Sequence, residues 1–152
     1  MAYAERAREL FLEGYNCCQA VFLACTEDLG LDVETRARLA SSFGGGMGGM
    51  RQVCGAVSGM LMALGLREGY SAPADRVGKT AQYETVRLLS DRFKEKNGSI
   101  ICRELLGLDE NFKPKPPEAR TAEYYKKRPC PELCAMAAGI FEDYIQEENA
   151  AK

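Results

Sequence analysis

Apolar positions along this chain recur at steps of three and four over most of its length, and they nowhere alternate for long enough to build a strand. The pattern predicts an all-α protein, a compact single-domain bundle of about six or seven short-to-medium helices across residues 1–152. A short opening helix around residues 6–11 is expected to end at Gly14, and Asn16 is placed to cap a second helix carrying Cys17 and Cys18. Cys18, Val21, Cys25 and Leu29 give that helix an apolar stripe, with Gly30 as its stop. Asp32 caps a third helix reaching about Ser42. Residues 43–50, FGGGMGGM, must form a loop, because glycine loses too much backbone freedom in a regular element.

Helix resumes near Gln52 with Cys54, Val57, Leu61 and Leu64 on one side and Gly55, Gly59 and Ala63 on the next, and Gly65 can close it. Ser71 and Pro73 mark the start of a fifth and longest helix, with Val77, Ala81, Thr85, Leu88 and Leu89 at helical spacing and Gly98 at its end. Ser99 caps a brief sixth helix that includes Cys102, Leu105 and Leu106 and stops at Gly107. Residues 109–118, with Pro114, Pro116 and Pro117, read as an irregular loop, and a polar helix follows over residues 119–128. Cys130 caps and Pro131 opens a final helix whose face is Leu133, Ala137, Ile140, Phe141, Tyr144 and Ile145. Its tail from Gln146 onward is expected to fray.

Charge and composition then exclude several functions. A net charge of -2 offers no basic field to attract nucleic acid or anionic lipid. Glu5, Arg6, Arg8 and Glu9 interrupt the apolar N-terminus, so it lacks the core of a secretory signal. The longest uncharged run, residues 52–66, falls short of the roughly 20 apolar residues a membrane helix needs. The expectation is a cytoplasmic protein with no nucleic-acid partner and no membrane insertion.

Cysteine is where the chemistry concentrates. The chain has seven cysteines and no histidine, which removes Cys-His dyads and Cys/His zinc sites and leaves sulfur, with carboxylate or water in support, to hold any metal. In a reducing compartment such a count argues for catalytic or metal-binding use rather than permanent disulfides. Cys17, Cys54, Cys102 and Cys130 each fall at the predicted first turn of a separate helix, where partial positive charge favours a thiolate. Arg51, Arg103 and Arg128 lie near three of them and should lower the thiol pKa further. Cys18, Cys25 and Cys134 sit within apolar stripes and read as core residues. The glycine-rich loop lacks both the P-loop and the dinucleotide-binding pattern, whereas Gly55 and Gly59 leave a bare helix surface on which a neighbouring backbone can approach Cys54. Tyr124 and Tyr125 are assigned to packing, and the carboxylates of the last helix to a solvated face.

Cys54-Gly55-Ala56-Val57-Ser58-Gly59, together with Gly14-Tyr15-Asn16-Cys17, Cys102-Arg103-Glu104-Leu105-Leu106-Gly107 and Cys130-Pro131, resembles the C_GCAxxG_C_C family of redox-active proteins. Val53 stands where the family label places a glycine. The resemblance implies a small helical protein of bacteria or archaea, often of anaerobes and encoded near transporters, whose redox role rests on its cysteines. A related domain occurs in multihaem split-Soret cytochromes, where an iron-sulfur site is suspected; this chain has no C-x-x-C-H haem motif, so only the cluster carries over. Cys17, Cys54, Cys102 and Cys130 are the residues the resemblance assigns, as redox thiols, as cofactor-binding residues and as metal ligands. Cys18 or Cys134 could substitute as a ligand or a resolving thiol.

Three functions follow as expectations. Four thiolates could hold an iron-sulfur cluster or a zinc ion in an electron-transfer or binding module. Two of the four could instead form a reversible pair in thiol-disulfide exchange with a redox partner the sequence does not name. The third reading is a non-catalytic helical partner of a transporter or other complex, with the cysteines merely buried. A homodimer is compatible with short helices, although no heptad pattern specifies one.

Overall fold

The computed structural model describes residues 2–109 and 111–152, and among these it contains eight α-helices and no strand. α1 (Ala2–Glu13) packs along α8 (Cys130–Ala150), while α2 (Cys17–Cys25) is in contact with α1, α3 (Val33–Ala40), α4 (Gly55–Glu68) and α8. α5 (Arg76–Asn97) leans on α4 and α8, and the short helices α6 (Cys102–Leu105) and α7 (Ala122–Lys127) lie in the connection to α8. Phe11, Val21, Val57, Met60, Leu64, Phe93 and Phe141 are among the fully buried side chains of one continuous core.

α2 buries seven of its nine residues, so it is apolar all round, as a central helix must be, rather than striped. It also stops at Cys25, short of the expected Gly30. Arg36 of α3 donates to Leu23 O at 3.0 Å and to Thr26 Oγ1 at 3.2 Å, and Thr26 Oγ1 donates to Phe22 O at 2.6 Å. Those bonds take the carbonyls that another helical turn would have used.

Side-chain anchors move other boundaries too. α4 starts at Gly55, not near Gln52, because the backbone before it pairs with the residues leading into α6. Cys54 N donates to Ile100 O at 2.7 Å and Cys102 N to Gln52 O at 2.6 Å, on either side of an isolated Val53–Ile101 bridge. At its other end α4 runs through Gly65, held by Arg67 on Cys25 O and by Tyr144 donating to Glu68 Oε1 at 2.5 Å. Asp75, not Ser71, caps α5 by accepting from Gly78 N at 2.8 Å. That helix buries only Leu89 and Phe93, and the expected face is largely solvent-exposed, Val77 to 82%. Ile101 rather than Ser99 precedes α6, Pro129 rather than Cys130 caps α8, and α8 stays helical to Ala150 where fraying was expected.

Candidate functional site

Each of the four cysteines of interest stands at a helix start. Cys17 is the first residue of α2 because Asn16 caps it: Asn16 Oδ1 accepts from Gln19 N at 2.8 Å and Gln19 Oε1 accepts from Asn16 N at 3.0 Å. Cys54 caps α4, Cys102 opens α6 and Cys130 opens α8 with Pro131 behind it. All four line one cavity of about 430 Å³, together with the glycine-rich loop, Arg51, Arg120, Arg128 and the irregular segment that carries Phe112.

Three local devices bring them there. The Val53–Ile101 bridge ties the entrance of α4 to that of α6, which sets Cys54 beside Cys102 despite their distance in sequence. Gly55 and Gly59 let α2 lie directly against α4. A Cβ on Gly59 would stand 2.6 Å from Cys18 O, and one on Gly55 would overlap Cys17 Sγ and stand 2.9 Å from Phe43 O. The glycine-rich loop then folds over Cys17 through left-handed turns at Gly45, Gly46, Gly48 and Gly49.

Most of that loop's donors are already bound. Met47, Gly48, Gly49, Met50, Arg51 and Gln52 each spend the backbone N–H on a carbonyl of residues 42–47, and the Gly45 N–H faces the Cys17 sulfur.

The electrostatics correct the expectation of low-pKa thiolates at Cys17, Cys54 and Cys130. Burial pushes the Cys17 thiol up, against the opposing help of the Gly45 N–H, and pushes Cys54 up despite the Ala56 and Val57 N–H groups of its own helix start. Cys130 is pushed up to about 12, again chiefly by burial and then by Cys17 and Cys102, with Arg128 and Arg51 too weak to reverse it. Desolvation therefore outweighs the helix ends. The fully buried Cys18, Cys25 and Cys134 lie outside the cavity lining. Cys134 is nevertheless close behind it, with its Sγ donating to Cys17 O at 3.8 Å.

Arginines organise the rim. Arg120 donates to Phe11 O at 3.1 Å and Tyr15 O at 3.0 Å, and its guanidinium lies over Phe11, Tyr124 and Tyr125. Arg128 donates to Glu118 Oε2 at 2.8 Å. Arg51 has left-handed backbone (φ 59°), lies over Phe112 and donates from Nη1 to Cys102 Sγ at 3.6 Å. Sequence reasoning missed Arg120 altogether, since nothing local distinguishes a surface arginine from one that clasps another helix's carbonyls.

All seven cysteines are free. Among the described residues no group of three or more Cys, Asp or Glu is arranged to hold a metal ion. No helix there is long and apolar enough to cross a membrane.

Helices that each deliver one cysteine to a shared cavity define a class, a small all-α protein organised around buried sulfur. Over residues 15–144 the chain matches the family described as "Putative redox-active protein (C_GCAxxG_C_C)", and it belongs to that family. It is also 28% identical, over 162 residues covering 98% of this chain and 99% of the other, to a protein of Archaeoglobus fulgidus that carries the name "Uncharacterized protein". No solved structure matches it.

Proposed function

We propose that the protein is an electron-transfer module in which Cys17, Cys54, Cys102 and Cys130 jointly hold an iron-sulfur centre. The observation that carries this reading is the placement of all four sulfurs, unpaired and from four helix starts, around one cavity. Four cysteines are a complete ligand set for such a centre. Zinc, the other metal suited to four thiolates, has no redox chemistry and fits a redox-active family less well. Thiol-disulfide exchange, whose nucleophile is the thiolate, is the second reading, since burial raises the Cys17, Cys54 and Cys130 thiols.

The bound centre would supply one-electron transfer. The chain's own contribution is to bring the four thiols together, release their protons on loading and exclude water with Phe112 and the aromatic clasp around Arg120. N–H groups of Gly45, Ala56 and Val57 already face two of the sulfurs and stabilise them once ionised.

Anaerobic purification, followed by iron and acid-labile sulfide analysis and electron paramagnetic resonance of the reduced protein, tests the proposal. Iron and sulfide should be present, should be lost in Cys17→Ser, Cys54→Ser, Cys102→Ser and Cys130→Ser, and should persist in Cys25→Ser. Iron-free protein that also refuses reconstitution with iron and sulfide would overturn it. A free-thiol count that rises on mild reduction of that protein would replace it with disulfide chemistry.

A further inference from the structure

Three arginines line the cavity, and two of them have oxygen acceptors. Arg51 is different. Its Nε is buried with no hydrogen-bond partner, the one such side-chain nitrogen or oxygen among the described residues, and its Nη1 reaches only a sulfur, a weak acceptor, at 3.6 Å. A cavity-lining guanidinium with no oxygen acceptor from the chain is a charge that a ligand's anionic oxygen at its Nη atoms would satisfy. The surrounding wall is mostly apolar, with Leu105, Leu108, Phe112 and Leu133, and the volume of about 430 Å³ falls in the range of small-molecule sites.

We propose that the cavity contains an anion subsite centred on Arg51 that takes the carboxylate of a small molecule with an apolar or aromatic body. The planar fork of arginine suits a carboxylate, and Phe112, against which the guanidinium already lies, offers the body a face. A phosphate group is a poorer match. Its greater charge needs several donors, and the N–H groups of residues 47–51 are already bound to carbonyls of residues 42–47, in and around the glycine-rich loop. Glu118, whose carboxylate feels the Arg51 charge, is already held by Arg128 at 2.8 Å, and Lys115 adds a fourth cation to the lining. The subsite does not depend on the iron-sulfur reading, because the Arg51 donor lacks an oxygen in the chain itself.

Calorimetric titration of the full chain, both as isolated and after anaerobic removal of any metal, with benzoate and with its neutral analogue benzamide, is the test. Benzoate should bind the metal-free chain and benzamide should bind it far more weakly. Arg51→Gln should weaken benzoate by roughly 10- to 100-fold while leaving benzamide unchanged, and Arg51→Lys should fall between. Equal binding of the two compounds by the unmodified chain, no binding of either, or inorganic phosphate binding as tightly as benzoate would each overturn the proposal. Benzoate binding by a protein that carries no iron as isolated and refuses reconstitution would leave this inference standing while the iron-sulfur reading falls; iron without benzoate binding would do the reverse.

Discussion

The glycines of the Cys54-Gly55-Ala56-Val57-Ser58-Gly59 run show how a single missing methyl group can position a sulfur. Gly55→Ala would drive a Cβ into Cys17 Sγ and Gly59→Ala would drive one to within 2.6 Å of Cys18 O, so each should destabilise the fold by about 1–3 kcal/mol, and Gly55→Ala should also abolish iron loading. Gly65, in the same helix, has nothing within 4 Å of its would-be Cβ, and Gly65→Ala should stabilise by about 0.4–1 kcal/mol. Denaturant midpoints of the three variants check the ordering; equal effects would mean that α2 and α4 do not meet through these glycines. That close approach was legible in the sequence, because a four-residue glycine spacing has a direct steric meaning on a helix. The thiol ionisation was not. Helix-end charge is worth roughly 0.3–1 kcal/mol, whereas burial can move a pKa by up to 3–5 units, and burial depends on packing that no local motif reveals. The sign carries over to stability. Burial raises the Cys18 and Cys25 thiols far above the ordinary value, so the reduced, metal-free protein should keep its full stability below about pH 8.5 and lose it progressively above, as those thiols ionise in the unfolded chain but not in the folded one. Urea midpoints that hold steady or rise from pH 8 to pH 10 would contradict this.

Helices as units were read well from periodicity and their ends badly, for one recurring reason. Every helix expected from the pattern exists, yet α2 ends early under Arg36, α4 starts late at the bridge to Ile101, and α8 continues past the expected fraying point where Arg92 donates to both oxygens of Glu147 at 2.8 and 3.1 Å. Each shift comes from a partner distant in sequence, which local spacing does not encode. α5 is the clearest case. Its pattern set Val77, Ala81, Thr85, Leu88 and Leu89 at helical spacing, but only Leu89 and Phe93 are fully buried, while Val77 near its start is 82% exposed. Leu89→Ala and Phe93→Ala should therefore cost about 2–5 kcal/mol each, and Val77→Ala should stay within about 0.5 kcal/mol. Hydrogen exchange should run faster over residues 76–84 than over residues 88–96, and uniform protection along the helix would show that the outer half is covered in solution.

Across the whole molecule, the candidate site joins parts that are otherwise stabilised very differently. Cys17 and Cys130 belong to helices of the packed core, whereas Cys102 opens a helix of only four residues. Beyond it runs a proline-rich segment fastened by Arg128 to Glu118, by Arg51 over Phe112 and by Arg120 over the aromatic cluster. A centre ligated by all four sulfurs would bind only the folded chain, and would stabilise it in proportion to the logarithm of its concentration over its dissociation constant. The stabilisation should be uneven. α1, α2 and α8 hold one another without the centre, while α6 and the adjoining loops rest on few buried apolar contacts and would gain most. Removing the metal anaerobically should therefore lower the melting temperature and speed hydrogen exchange over residues 44–53 and 99–108, with little change in α1 and in residues 135–145 of α8. If exchange instead accelerates equally throughout, the four sulfurs are a condition of folding rather than a clasp closed on a preformed bundle. If neither melting nor exchange responds, the cysteines do not share a centre.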